Sequence, residues 1–165
     1  VAPQLANAGY CSTKKLYYYG VRVHVVGRSQ LGTLPRPEYI GVTGASDNDG
    51  KVFEQIRPIL YNNELYGDKA YQLPDEKEFY DKQRLAVQTP VKRNKGQDYL
   101  DAADQLFSTA VSRIRQPIES LFAWIEQQTG IESASKVRSY AGLMVHVFGR
   151  LAAAIFFWNH LRVSS

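Results

Sequence analysis

The sequence predicts a mixed α/β domain, and three observations lead to this fold class. Residues 16–26 form an aromatic and β-branched run that is typical of a strand. Short strand-like and helix-like segments then alternate, which is the pattern of an α/β architecture. From about Asp98 onward, apolar residues recur at helical spacing, which predicts two long C-terminal helices.

Length and composition limit the classes of protein that are possible. The chain has 165 residues, of which 44% are hydrophobic, so it can bury a core as one domain over residues 1–165. Its single cysteine excludes an internal disulfide framework, and three histidines with one cysteine leave no zinc cluster at ligand spacing. The net charge of +4 is modestly basic.

The first half of the chain is predicted to contain two strands and a helix. In the run 16–26, alternation places Tyr17, Tyr19 and the valines on one face, and Arg22 and His24 on the other. A loop rich in glycine and proline follows over 27–37, and a short strand over 39–43. The turn 44–50 contains Asx residues that can cap a helix over about 51–60.

The second half is predicted to contain two strands and three helices. A strand ends near Asp68, a charged helix covers about 75–84, and another strand covers 85–90 before a basic loop. The helix after Asp98 has its apolar stripe at Val111, Ile114, Ile118, Leu121, Phe122 and Ile125. Pro117 should kink that helix or start a new segment.

The last helix, about 135–161, contains an apolar stretch that resembles a membrane span. Because Arg150 stands near the middle of this stretch and charge is costly in lipid, we expect a buried amphipathic helix and no membrane association.

Two acidic residues are candidates for metal-dependent chemistry. Asp68 follows Gly67 at a predicted strand end, where α/β folds place ligands, and carboxylate oxygens suit Mg²⁺. The alternative is a turn or capping aspartate without a ligand. Glu119 lies at the edge of the apolar stripe, four residues after Arg115, and the alternative there is an ordinary ion pair. Asp47 and Asp49 are interpreted as turn and capping residues.

Basic residues fall in two clusters that can neutralise nucleic-acid phosphates. One cluster is Lys14, Lys15 and Arg22, and the other is Lys92, Arg93 and Lys95. Solvated surface charge explains the same pattern nearly as well. His24 and His146 are interpreted as structural residues, and His24 shares its strand face with Arg22.

Several fragments, taken in order, resemble the DDE transposases of bacterial insertion sequences. They span residues 9–24, 42–49, 65–71 and 89–94, and they include a Gly-Asp-Lys-x-Tyr strand end. Residues 115–122 (Arg-Gln-Pro-Ile-Glu-Ser-Leu-Phe) resemble the Arg-x-x-x-Glu helix signature of that family. Each fragment is weakly specific by itself, and the ordered set is the stronger signal.

The resemblance implies an RNase H-like mixed sheet flanked by helices and a cytoplasmic protein that acts on double-stranded DNA at transposon ends. It also implies catalysis by three acidic residues with Mg²⁺ or Mn²⁺. Asp68 resembles the second acid and Glu119 the third, and Arg115 would contact phosphate or orient Glu119. A homodimer is compatible with this interpretation.

The departures from the family pattern leave activity open. No aspartate precedes Asp47, so we expect that the first acid has been cut away or lost and that this is an N-terminally truncated catalytic domain. Ser112 stands where the signature often has tyrosine, and Glu126 stands where it often has lysine. The alternatives are a catalytically inactive DNA-binding or interaction domain and a general RNase H-like nuclease that acts on RNA.

Overall fold

The chain forms two compact units in a computed structural model. The structure describes residues 5–11, 15–72, 76–134 and 136–163. The first unit comprises Val1–Asp47 and Ile118–Ser165, and the second comprises Asn48–Pro117. The described residues form five strands and four α-helices, a mixed α/β architecture consistent with an RNase H-like fold.

The first unit contains a three-stranded antiparallel sheet with the order β1-β2-β3. Its strands are β1 (Asn7–Cys11), β2 (Leu16–Arg28) and β3 (Arg36–Gly44). Both β2 and β3 were predicted, and each extends a few residues beyond its predicted bounds. β1 was not predicted, because its small and polar residues have low strand propensity.

Contacts with the end of β3 hold β1 in place. The side-chain Oδ1 of Asn7 accepts a hydrogen bond from the backbone N–H of Ser46 at 2.7 Å. Gly9 lies against Ala45 so closely that a Cβ on Gly9 would stand 2.6 Å from the carbonyl oxygen of Ala45. A strand therefore forms here through backbone pairing and close approach, and glycine is required at the point of contact.

Two long helices supply the core of the first unit. They are α3 (Ala102–Thr129), whose C-terminal part belongs to this unit, and α4 (Tyr140–Val163). Valines of β2 and β3 pack against the buried cluster that these helices form, as the alternation along β2 predicted. The buried members of the cluster are Leu121, Ile125, Leu143, Val147, Leu151, Ala154 and Trp158.

Two polar side chains of α4 bind backbone carbonyls at the end of α3 and in the turn after it. The Nε2 of His146 lies 2.9 Å from the carbonyl oxygen of Ile131, and Arg150 donates to the carbonyl oxygen of Thr129. Carbonyl groups at a helix C-terminus have no partner within the helix, so a cationic donor is favourable there. His146 is thus a half-buried structural residue, in agreement with its interpretation from the sequence.

The outer face of α4 is apolar rather than polar, which differs from the predicted amphipathic pattern. Val145, Phe148 and Phe156 are 73%, 45% and 69% exposed. By length and composition, Tyr140–Trp158 could cross a membrane, with 28% of that stretch buried. Since the core helix of a soluble protein passes the same test, this is weak evidence for a span.

The second unit begins with α1 (Asp49–Ile56), which leads into a 3-10 turn at Arg57–Ile59. Asn48 caps α1, since its Oδ1 accepts a hydrogen bond from the N–H of Gly50 at 2.8 Å. The capping role predicted for the Asx-rich turn is thereby confirmed. On the helix face opposite to solvent, Val52, Phe53 and Ile56 are buried.

Two short parallel strands form the sheet of the second unit. They are β4 (Asn63–Tyr66) and β5 (Leu85–Gln88), and α2 (Glu76–Gln83) lies between them in sequence. All three elements were predicted. The pairing extends past β4, because the N–H of Gly67 donates to the carbonyl of Gln88 at 3.0 Å. Leu85 and Val87 are buried, which anchors β5 in this unit.

The helix α3 runs without interruption through Pro117. Of the two predicted alternatives, a kink or a new segment, the new segment is therefore excluded. Proline deletes one backbone hydrogen bond, and the flanking turns keep theirs, so a 28-residue helix can continue across it. Pro117 is also the last residue of the second unit. Of the predicted apolar stripe, Ile114 and Phe122 remain 47% and 37% exposed.

Candidate metal and DNA site

Asp68 lies directly beyond the carboxyl end of β4, as the sequence predicted. Its Oδ1 accepts a hydrogen bond from the N–H of Ala70 at 2.7 Å and caps a 3-10 turn at Lys69–Tyr71. The side chain is half-buried, and among the described residues no hydrogen bond reaches its Oδ2. The capping alternative is thus realised through one oxygen, and the second oxygen has the hard-donor chemistry that suits Mg²⁺.

Close packing holds the segment that carries Asp68. Gly67 is buried, and a Cβ on it would lie 2.8 Å from the ring of Tyr71. The same ring contacts Phe53 of α1 edge-on, with centroids 5.7 Å apart. The Gly-Asp-Lys-x-Tyr sequence therefore has a mechanical explanation, because the tyrosine closes over the glycine and fixes the turn that presents the aspartate.

A second acid of the strand, Glu64, is engaged by its neighbour. The hydroxyl of Tyr66 donates to Oε2 of Glu64 at 2.7 Å. This hydrogen bond to the carboxylate is the largest cause that raises the pKa of Tyr66 above its usual value, followed by burial and by the negative charge of Glu64. Glu64 thus has a local partner on the strand.

Glu119 and Arg115 lie four residues apart on α3, so their side chains are neighbours on one flank of the helix. Glu119 is exposed and Arg115 is half-buried. The helix predicted for the Arg-x-x-x-Glu signature is confirmed, and Pro117 lies between its two charged residues. An exposed carboxylate at this position is accessible to an ion or to a phosphate-bound metal.

Asp68 and Glu119 belong to different units of the chain. Within the described residues, no group of three or more histidine, cysteine, aspartate or glutamate side chains is arranged to hold a metal ion. The donor chemistry of both acids suits a hard cation, because both supply carboxylate oxygens. Their joint role remains a prediction.

Residues at the positions that depart from the family pattern also have structural roles. Glu126 is half-buried, and its Oε2 accepts a hydrogen bond from the N–H of Glu132 at 2.8 Å. This contact closes the turn after α3. Ser112 is exposed on α3. Asp47 accepts a hydrogen bond from the N–H of Gly44 at 3.0 Å, which is the turn role predicted for it.

The basic residues divide into engaged and exposed groups. Arg22 is half-buried and donates to the carbonyl of Asp47 at 3.2 Å, and His24 on the same strand face lies 2.8 Å from Oγ1 of Thr43. Arg93 is exposed and donates to the carbonyl of Asp98 at 2.9 Å. The side chains of Lys15, Lys92 and Lys95 are exposed to solvent. Lys14 lies outside the described residues.

Three exposed tyrosines lie near Lys15 on β1 and β2. Tyr10, Tyr17 and Tyr19 are 49%, 81% and 55% exposed on β1 and β2. The alternation along β2 placed Tyr17 and Tyr19 on the face of the core valines, which suggests burial. Their exposure could be found only from the structure, because β1, which carries Tyr10, gave no strand signal.

Comparison with known families agrees with these features. The Transposase DDE domain family matches residues 2–156, which is most of the chain and runs through both units. The chain belongs to this family. No curated protein and no solved structure gives a significant match.

Family membership establishes the general character of the protein. It supports a function related to DNA transposition and implies that the substrate is DNA. Domains of this family generally use divalent metal ions. The recognition of a DDE transposase from the ordered fragments is therefore confirmed at the level of the family.

Proposed function

We propose that this chain is a transposase catalytic domain that cleaves and joins phosphodiester bonds at the ends of an insertion sequence. The observation that carries the proposal is the family match over residues 2–156, which includes both Asp68 and the helix signature Arg115…Glu119. We take residues 1–165 as one catalytic domain, and the two compact units as its parts.

Asp68 and Glu119 are the proposed ligands for Mg²⁺ or Mn²⁺. Asp68 is held by its cap to Ala70 through Oδ1, which leaves Oδ2 directed by a rigid turn. Glu119 is exposed, so its carboxylate is accessible from solvent. Bound divalent ions would supply activation of a water or a 3′-hydroxyl and stabilisation of the leaving oxygen. The chain itself positions its carboxylates for that chemistry.

Arg115 is proposed to contact a DNA phosphate or to orient Glu119. It stands one helical turn before the glutamate, so its guanidinium can reach either group. Further phosphate contacts are proposed for Lys14, Lys15 and Arg22 and for Lys92, Arg93 and Lys95. Because these contacts would release counterions, DNA binding should weaken steeply as salt rises.

The cellular setting is proposed to be the bacterial cytoplasm, where the DNA substrate lies. We propose no membrane association for α4, since Arg150 and His146 of its middle part bind the carbonyls of Thr129, at the end of α3, and of Ile131, just after it. The outer face of α4 instead supports a homodimer. Its exposed residues Ala141, Val145, Phe148, Ala152 and Ile155 alternate at spacings of four and three, which is typical of a seam between two helices.

Strand cleavage tests the proposal. Supercoiled plasmid should be nicked in the presence of Mg²⁺ or Mn²⁺, and the Asp68→Ala and Glu119→Ala variants should lose that activity. Glu54→Gln, an exposed carboxylate of α1, is the matched control and should retain it. Wild-type nicking by either site variant would rule out the assignment.

The second candidate is a catalytically inactive DNA-binding domain derived from a transposase. It is favoured by Glu126, which replaces the usual lysine and is engaged with the N–H of Glu132. This candidate predicts duplex binding with a steep salt dependence and no nicking at any Mg²⁺ or Mn²⁺ concentration. Turnover by the chain would exclude it.

A further inference from the structure

The hairpin of β1 and β2 presents aromatic rings beside the most basic part of the chain. We propose that this hairpin binds an unpaired DNA strand, with its bases stacked on Tyr10, Tyr17 and Tyr19. The inference rests on the proposed function, since it takes DNA as the substrate, and it adds a single-strand subsite that is separate from Asp68 and Glu119.

Strand register brings the three tyrosines together. β1 and β2 pair antiparallel, with Tyr10 opposite Tyr17 and Ala8 opposite Tyr19. Side chains that lie opposite each other or two residues apart share one sheet face. The rings of Tyr10 and Tyr17 are in contact, with centroids 5.0 Å apart and an angle of 52° between their planes. The hairpin therefore carries three exposed tyrosines on one face, and two of their rings are in contact.

This aromatic surface is left open by the core that covers the rest of the same face. Along β2, Val21, Val23 and Val25 pack against the buried cluster of α3 and α4. Tyr17 and Tyr19 precede them on the same face and remain 81% and 55% exposed. The rings of Tyr17 and Tyr19 keep a large apolar area in contact with water. They are therefore available to stack with a ligand.

The spacing of Tyr17 and Tyr19 suits one nucleobase. Two residues along a strand advance about 6.8 Å, at about 3.4 Å each. A base stacked between two rings needs about the same distance, because stacked bases lie about 3.4 Å apart. Ala8, across from Tyr19, is exposed and small, so it does not add a large side chain beside the Tyr19 ring. In this proposal, a base stacks between the rings of Tyr17 and Tyr19.

Charge selects a nucleic acid as the occupant. Residues 1–46 contain five basic residues and one acidic residue, a charge of +4 that equals the net charge of the whole chain. Residues 47–165 contain fifteen of each sign and are neutral. The single acid, Glu38, is paired with Arg28 at 2.6 Å. Lys15 is exposed at the start of β2, next to the tyrosines, where it can meet a phosphate.

An unpaired strand fits this combination better than a duplex. In a duplex the base faces are stacked on each other, and only edges and phosphates are accessible to a protein. In a single strand the faces are available to aromatic rings, and stacking is tolerant of sequence. A proline-rich peptide could also pack on tyrosines, but it would not use the local positive charge.

Fluorescence anisotropy with labelled oligonucleotides tests the proposal. The probes are a twelve-nucleotide oligo(dT) strand, the same strand with abasic sites, and a duplex of equal length. Tyr17→Ala and Tyr19→Ala should each weaken binding to oligo(dT) about tenfold, which is the usual scale of one lost stacking contact. Binding to the duplex should change less than twofold, and the salt dependence should stay the same. Tyr17→Phe and Tyr19→Phe should bind as the wild type does.

Two controls separate stacking from charge and from a general loss of structure. Tyr99→Ala removes a ring that is 85% exposed outside the hairpin and should leave all three affinities unchanged. Lys15→Ala should weaken strand and duplex alike. Thermal unfolding by circular dichroism identifies any variant that has lost its fold, and the comparison of oligo(dT) with the abasic strand on the wild-type protein then carries the test.

The outcomes distinguish this inference from the proposed function. If the alanine variants bind oligo(dT) as tightly as the wild type, or if the abasic strand binds as well as oligo(dT), the stacking site is wrong while duplex binding and nicking stand. If the wild type binds neither strand nor duplex, both proposals fail. Tyrosine-dependent binding of a polyproline peptide without binding of oligo(dT) would overturn the site in favour of a protein partner.

Discussion

Asp68 and Ala70 are joined by a hydrogen bond of 2.7 Å from the backbone N–H of Ala70 to Oδ1 of Asp68. If Asp68 also binds a cation as proposed, its carboxylate has two separable functions, because Oδ1 caps a turn while the negative charge and Oδ2 remain for the cation. Asparagine retains an oxygen that can cap and removes the charge. The two functions can therefore be tested with a single substitution.

We expect Asp68→Asn to keep the fold and lose the metal. Its free energy of unfolding in urea should stay within about 0.5 kcal/mol of the wild type, since asparagine and aspartate cap about equally well. Its metal-dependent nicking should fall more than about a hundredfold, since even outer partners of metal ligands cost about 10- to 100-fold. In NMR spectra, Mn²⁺ should broaden the amide signals of Lys69 and Ala70 in the wild type only.

The control for this experiment is Glu54→Gln, in which Mn²⁺ should still broaden Lys69 and Ala70. Equal broadening in the wild type and in Asp68→Asn would mean that the aspartate is a capping residue only. A large loss of stability in Asp68→Asn would show instead that the charge itself supports the turn.

Glycine substitutions should have opposite effects at two positions. A methyl group on Gly9 would collide with the backbone of Ala45 at 2.6 Å, so Gly9→Ala should lower the free energy of unfolding by about 1–3 kcal/mol. On the exposed side of α4, a methyl group on Gly149 meets no atom within 4 Å. Gly149→Ala should raise the free energy of unfolding by about 0.5–1 kcal/mol. Chemical denaturation measures both, and destabilisation of both variants alike would contradict the close approach of β1 to Ala45.

The cap of α1 should be sensitive to loss of one oxygen. Asn48→Ala leaves the N–H of Gly50 without its side-chain acceptor and should cost about 1 kcal/mol of unfolding free energy. Asn48→Asp keeps the acceptor and should cost less than about 0.5 kcal/mol. A thermal shift of equal size in the two variants would show that the helix start does not depend on this bond.

The apolar seam of α4 should control the oligomeric state if the homodimer forms there. Val145→Glu places a charge in the seam and should convert a dimer to a monomer in size-exclusion chromatography with light scattering. Leu31→Glu changes a fully exposed residue in the loop after β2 and should leave the mass unchanged. A wild-type protein that is monomeric at all concentrations, or a Val145→Glu variant that stays dimeric, would be evidence against this interface.

Sequence reasoning was most successful where local chemistry decides the structure. The alternation in β2, the Asx cap of α1 and the strand end before Asp68 all arise from propensity and turn chemistry within a few residues. The positions of Arg115 and Glu119 on one helix follow in the same way from the periodicity of α3.

Features that depend on distant contacts were not predictable. β1 exists because Asn7 and Gly9 meet Ser46 and Ala45, which lie more than thirty residues away. The exposure of Ile114 and Phe122 depends on which part of an apolar stripe its neighbours cover, and periodicity gives only the stripe. For Asp68, residue type and position left a metal-ligand role and a capping role as alternatives, and the coordinates show the cap to Ala70.

The polar contacts of His146 and Arg150 have a consequence for α4 as a whole. A helix with apolar residues on every side has little reason to prefer one rotation or one longitudinal setting over the next, since several alternatives bury similar area. The two carbonyls, Ile131 and Thr129, accept these side chains at one setting of the helix. A displacement by one turn would leave both carbonyls and both donors without these partners. Two bonds thus specify a unique register for an otherwise permissive helix, in the way that a single polar residue fixes the register of a coiled coil.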